Sequence, residues 1–189
     1  MEALSYTPTF PQAMSVEEYR ELERQLPHIR FEYIDGIVYE MPGGTVKHEN
    51  ICSNFIRMMD RKLGDAPCQI FLSGLKLQIP DRERYFYPDV MVCCPPPEED
   101  ALSPTLVAEV LSPSTAWYDV STKKVIYMEL ASLRHLLFID PQQVFVEHNY
   151  RPDTDTAWHI ECFNDLDAEI YFHSWDIRIP VRGLYRFVF

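Results

Sequence analysis

The segment 105-TLVAEVL-111 narrows the possible folds more than any other stretch of this chain. Leu106, Val107, Ala108, Val110 and Leu111 read as a strand buried on both faces, which belongs in the middle of a covered sheet. Glu109 interrupts it. A buried carboxylate with no partner costs several kcal/mol or more, so whatever satisfies Glu109 is part of the fold. A second strand of the same kind, 85-YFYPDVMVCC-94, carries Asp89 directly before its apolar run, and Pro88 marks a strand start or a bulge there.

The elements around these strands follow from local signals. Ser15 opens a helix through the capping box S-V-E-E, with Glu18 reaching back and Met14 with Tyr19 as a hydrophobic staple; Pro27 ends it. The stretch 29-IRFEYIDGIVYEM-41 predicts a hairpin turning at Asp35-Gly36. Thr45 caps a second helix in which Ile51, Phe55, Met58, Met59 and Leu63 keep a helical period, and Gly64 stops it. Strands are predicted over 68–79, 85–94 and 105–111, a helix from about Ser114 to Leu130, strands near 134–140 and 143–149, and strands with turns over 157–189. This order predicts an α/β domain with a mixed β-sheet core flanked by α-helices.

With 189 residues, 47% of them hydrophobic, the chain can bury a full core and reads as one domain over 14–189 after a flexible, Pro-containing arm over 1–13. No apolar run reaches the ~18 residues of a membrane span. The N-terminal residues lack the basic and apolar regions of a secretory signal, so a cytoplasmic protein is expected. The five cysteines are odd in number and show no C-x-x-C spacing, which predicts reduced, buried thiols and no structural zinc site. A net charge of −12 speaks against a protein that coats nucleic acid through a general basic excess. It leaves room for an enzyme that meets DNA through a local basic patch or a bound divalent metal.

Two acids on adjacent buried strands repel each other unless a cation lies between them. A hard divalent ion held by Asp89 and Glu109 satisfies both, and Mg²⁺ takes one or two such ligands plus waters. The alternative is that each acid finds a Lys, an Arg or a backbone amide nearby. Glu32 lies on the aromatic hairpin strand, where it is either a third acid of the site or an ordinary strand acid. His48, on the face of Ile51 and Phe55, lines the site or serves as a capping or core histidine. Asp119, Lys123 and Tyr127 share one helical face, which directs Lys123 toward the strand end and Lys124 elsewhere. An ammonium there can orient a water or stabilise a pentavalent phosphate, while the plainer reading is an exposed Asp–Lys pair.

These residues carry a resemblance. F-E-Y-I-D-G-I-V-Y-E-M, H48-x-x-I51, Y-P-D-V-M-V and A-E-V-L-S-P-S-T-x-x-Y-D-x-x-x-K-x-x-x-Y are similar to the Uma-type restriction endonuclease family of the PD-(D/E)xK nuclease superfamily, over roughly residues 14 to 185. The resemblance implies a restriction-endonuclease-like fold, Asp89 and Glu109 as metal ligands, Glu32 as the N-terminal acid, and Lys123 as the catalytic lysine. In the superfamily the lysine stands two residues after the acid, a position held here by Leu111; in this family it comes from the next helix. The expected function is Mg²⁺-dependent hydrolysis of DNA phosphodiester bonds by a metal-activated water, with Mn²⁺ as a substitute and a homodimer for cutting both strands. The rival expectation is a non-catalytic interaction module that keeps the nuclease fold.

Overall fold

Two breaks in the strand pattern, at Ser73-Gly74 and at Tyr87-Pro88, determine how the sheets are assembled. The computed structural model describes residues 11–41, 43–80, 82–98, 102–112 and 119–189. The chain forms two compact units: the described part of Met1–Gly43 with Lys76–Tyr87, and Gly44–Leu75 with the described part of Pro88–Phe189. The sequence predicts one strand over 68–79 and one over 85–94. Each is instead two strands, and the halves go to different sheets. The turn at Ser73-Gly74 interrupts the first, and Pro88, which has no N–H to give a ladder, interrupts the second.

In the smaller unit, β1 (Gln12–Ala13), α1 (Val16–Gln25), β2 (Phe31–Ile34), β3 (Ile37–Glu40), β5 (Leu77–Gln78) and β6 (Arg84–Phe86) build an antiparallel sheet of order β1-β3-β2-β6-β5 with one helix. Gln12 and Ala13, at the end of the expected arm, pair with β3; residues 1–10 lie outside the described residues. Both halves of the capping box form, Ser15 Oγ accepting from Glu18 N and Glu18 accepting from Ser15 N. Asp35 and Gly36 both take positive φ, 49° and 89°, as a two-residue turn matched to strand twist requires. Val16, Tyr19, Leu22, Phe31, Tyr33, Val38 and Tyr85 form the core, with Tyr19 stacked on Tyr33 and Tyr85.

The larger unit holds α2 (Val46–Leu63), β4 (Gln69–Leu72), β7 (Val90–Cys93), β8 (Leu106–Val110), a π turn (Asp119–Lys123) that runs into α3 (Lys124–Met128), β9 (His135–Ile139), β10 (Val146–Tyr150), β11 (His159–Phe163), the hairpin β12 (Glu169–Phe172) and β13 (Ile177–Pro180), and α4 (Val181–Leu184). Six of its strands form one sheet in the order β11-β10-β9-β8-β7-β4, and β12 pairs with β13 apart from it. The β8–β9 pair is parallel and the others are antiparallel, so the sheet is mixed as expected. The helix expected from Ser114 is helical over Asp119–Met128; residues 113–118 and the Asp119 side chain lie outside the described residues.

Alternation along the strands divides the sheet into two faces. Val90, Val92, Leu106, Ala108, Val110, Leu137 and Ile139 pack with Ile51, Cys52, Phe55 and Met59 of α2 and with Phe172, Ile179 and Leu184. Met91, Val107, Leu136 and Phe138 have the opposite parity, and Glu109 shares it. The cysteine expectation fails twice, in the pairing of Cys68 with Cys94 and in the exposure of Cys162. Cys68 and Cys94 form a disulfide with Cα atoms 4.4 Å apart, while Cys52, Cys93 and Cys162 are free. β4 and β7 pair Gln69 with Cys93, so Cys68 and Cys94 fall opposite each other one step further along the ladder. That step depends on strand register, which the spacing of cysteines in the chain does not reveal.

Candidate active site

The antiparallel β7–β8 pair sets Val90 opposite Ala108, and one more step toward the sheet end sets Asp89 opposite Glu109. The two acids complete the ladder with their side chains. Val110 N donates to Asp89 Oδ2 at 2.8 Å, and Asp89 N lies 3.4 Å from Glu109 Oε2. Both are buried, Asp89 at 9% exposure and Glu109 at 3%.

Glu109 finds its partners within the chain. Tyr127 donates its hydroxyl to Glu109 Oε1 at 2.7 Å, and Lys123 Nζ stands 3.5 Å from the same oxygen. Lys123 is itself 4% exposed. A buried carboxylate with an ammonium, a phenol and an amide N–H around it has its desolvation offset, so the burial of Glu109 alone is no argument for an ion. Lys123 closes the π turn and Tyr127 lies four residues on in α3, so both reach one carboxylate oxygen. Lys124 turns away and pairs with Glu147 at 2.8 Å. The structure therefore brings Asp89, Glu109 and Lys123 together, and adds Tyr127, which the sequence placed on the same helical face without giving it a partner.

Glu32 belongs to the smaller unit. It is 2% exposed on β2 and accepts from Tyr87 N at 3.3 Å. His48 has a more specific place than a cap or core position. Thr45 caps α2 by accepting from His48 N, and the ring then reaches Asp89, with Nε2 3.1 Å from Oδ2. Cys52, one turn later, has Sγ 3.8 Å from His48 Nδ1. Burial alone would lower the His48 pKa; the hydrogen bond and charge of Asp89, with the contact to Cys52, outweigh it and push it up to about 11. Burial also raises the Cys52 thiol. Sequence reasoning gave no role to Cys52, and the only signal for it was its four-residue spacing from His48.

Asp89 and Glu109 present hard oxygen donors on adjacent strands at one end of a sheet, and this donor set fits a divalent cation such as Mg²⁺. The imidazole and thiol beside Asp89 add softer donors of another kind.

The chain also has recognisable relatives. Residues 16–171 match the model of the Uma2 family, described as "Putative restriction endonuclease". Two proteins of Synechocystis sp. (strain ATCC 27184 / PCC 6803 / Kazusa) are similar over most of their length. "Uncharacterized protein sll1609" is 33% identical over 165 residues, 84% of this chain and 92% of that protein. "Uncharacterized protein slr1290" is 34% identical over 191 residues, 97% and 99% of the two. The crystal structure of "a putative nuclease belonging to DUF820" from Anabaena variabilis ATCC 29413 has a similar fold, with a TM-score of 0.69 at 22% identity over 84% of this chain and 91% of that one. The family match covers β7, β8 and α3 with Asp89, Glu109 and Lys123, and on that extent the chain belongs to the Uma2 family.

Proposed function

We propose that this protein is a divalent-metal-dependent endonuclease that hydrolyses DNA phosphodiester bonds, with Mg²⁺ as its ion and Mn²⁺ as a substitute. The observation that carries the reading is the convergence of two buried acids and one buried lysine at the end of β7 and β8. Asp89 and Glu109 would hold the ion, which supplies Lewis acidity and a water of lowered pKa. Tyr127 fixes the Glu109 carboxylate through Oε1. Lys123 balances the charge of Glu109 and is the cation available to orient a water or to stabilise charge developing on a phosphate. The proposal includes a cytoplasmic place of action, and a homodimer, because cutting both strands takes two such centres.

Purified protein incubated with supercoiled plasmid should cut in Mg²⁺ or Mn²⁺ and fail in chelator. Lys123→Ala and Glu109→Gln should both abolish cutting. Mg²⁺ should raise the melting temperature of the unaltered protein and not that of Glu109→Gln, since binding to the native state contributes about 2.7 kcal/mol at a hundredfold excess over Kd. Low salt should help, because an acidic protein depends on few phosphate contacts, each strongly screened. The net charge of −12 favours a second reading, an interaction module that keeps the nuclease fold. Protein that binds neither ion and cuts no nucleic acid under these conditions selects that reading.

A further inference from the structure

His48 and Cys52 stand one turn apart on α2 and face Asp89. One donor atom from each of the three lies within 4.8 Å of the other two, and Glu109 is not among them. The set is one imidazole nitrogen, one sulfur and one carboxylate oxygen. Mg²⁺ prefers oxygen and water, whereas Zn²⁺ and Co²⁺ take nitrogen, sulfur and carboxylate ligands together. Bonds of about 2.0–2.3 Å in a tetrahedral site place donor atoms roughly 3.3–3.8 Å apart. The 3.1 Å between His48 Nε2 and Asp89 Oδ2 lies close to that range; Cys52 Sγ contacts the other ring nitrogen, Nδ1, at 3.8 Å, so an ion held through Nε2 draws the sulfur in from a donor set that spans up to 4.8 Å. The same connectivity resembles a Cys–His–Asp nucleophile arrangement. Cys52, however, is 5% exposed among Ile51, Phe55 and Val110, where no substrate reaches its sulfur.

We propose that His48, Cys52 and Asp89 form a binding site for a borderline transition-metal ion of the Zn²⁺ class, sharing Asp89 with the proposed nuclease centre. In the sequence, the His48–Cys52 couple by itself falls short of a zinc pattern; the sheet supplies its third ligand. As the ion binds, the ring proton that His48 shares with Asp89 and the thiol proton of Cys52 are released to solvent. The ion engages the Asp89 carboxylate that Mg²⁺ needs, so Zn²⁺ inhibits Mg²⁺-dependent cleavage. The inhibition rests on the nuclease reading, and the binding site does not.

Co²⁺ is the probe, added to the full chain carrying Cys162→Ala so that the exposed free thiol does not compete. One equivalent should produce thiolate-to-cobalt charge-transfer absorption. Cys52→Ser should abolish that band, His48→Gln should weaken Co²⁺ binding at least tenfold, and Glu109→Gln should leave both intact. Circular dichroism checks that each variant is folded. Excess Zn²⁺ should remove the band. No charge-transfer band in the Cys162→Ala protein, or one that survives Cys52→Ser, overturns the site and leaves His48 as the counter-ion of Asp89. A band with no plasmid cleavage retains the site and rejects the nuclease reading instead.

Discussion

Removing the ammonium from Glu109 should cost more than any other single change near the site. Lys123 Nζ and Glu109 Oε1 are 3.5 Å apart, and both side chains are nearly inaccessible to water. At an effective dielectric of about 20, two unit charges at that distance attract by roughly 4.7 kcal/mol. Lys123→Met keeps most of the aliphatic stem and removes the charge, so cavity formation contributes little. The loss should be about 3–5 kcal/mol, the usual cost of breaking a buried pair from one side. Adding Glu109→Gln should recover most of it, because the amide needs no counter-charge. Urea unfolding of the two single variants and the double variant, followed by circular dichroism, gives the coupling directly. A Lys123→Met loss below about 1 kcal/mol, or a double variant no more stable than that single one, would refute Lys123 as the group that balances Glu109.

Three further outcomes follow. Tyr127→Phe removes only the hydroxyl that donates to Glu109 at 2.7 Å, and should cost about 1.5–3 kcal/mol in the same urea assay. The buried His135–His148 pair should make the protein acid-sensitive: burial lowers both pKa values, that of His148 to about 3 against an ordinary 6.5. Above pH 6.5 neither state of His148 is charged; below it the unfolded chain gains a proton that the folded one resists, so about 2 kcal/mol is lost by pH 5, and His148→Gln should flatten the decline. Reducing Cys68–Cys94, with its separation of 26 residues, should lower stability by roughly 3.5 kcal/mol, read as a shift of the urea midpoint on adding dithiothreitol.

The parts of the fold legible in the sequence were those decided within a few consecutive residues. Ser15 with Glu18, the Asp35-Gly36 turn, the Thr45 cap and the Gly64 stop each need only a short window, and each forms as read. The division of 68–79 and 85–94 between two sheets was not legible. Apolar alternation says that a segment is a strand and which residues share a face; it does not say which strand lies beside it. Leu72 and Leu77 look alike in the sequence, yet one belongs to the β7 edge and the other pairs with Phe86. The Cys68–Cys94 bond was hidden for the same reason, since it is a property of the β4–β7 register.

The site separates along a similar line. Helical period gave direction, which was enough to prefer Lys123 over Lys124 and to set Tyr127 on the same side. It could not give distance, and distance makes Tyr127 a donor to Glu109 and His48 a partner of Asp89. Glu109 itself shows how far such reasoning extends. An acid in a buried strand demands compensation, and a metal ion, a lysine or a phenol would each supply it. The chain contains the last two, so burial no longer selects among the three. What still points to an ion is the second acid. Lys123 and Tyr127 both bind Glu109, and among the described residues Asp89 meets a backbone amide and a histidine. Each acid has a cation beside it, Lys123 for Glu109 and His48 for Asp89, and the two carboxylates set side by side at one sheet end still offer the pair of hard oxygen donors that a divalent ion takes. Asp89→Asn therefore distinguishes the cases. If Asp89 is only the counter-ion of His48, the substitution should destabilise the protein in buffer and in Mg²⁺ alike. If it is a ligand, stability in Mg²⁺ should fall by the additional margin that the ion contributes to the unaltered protein.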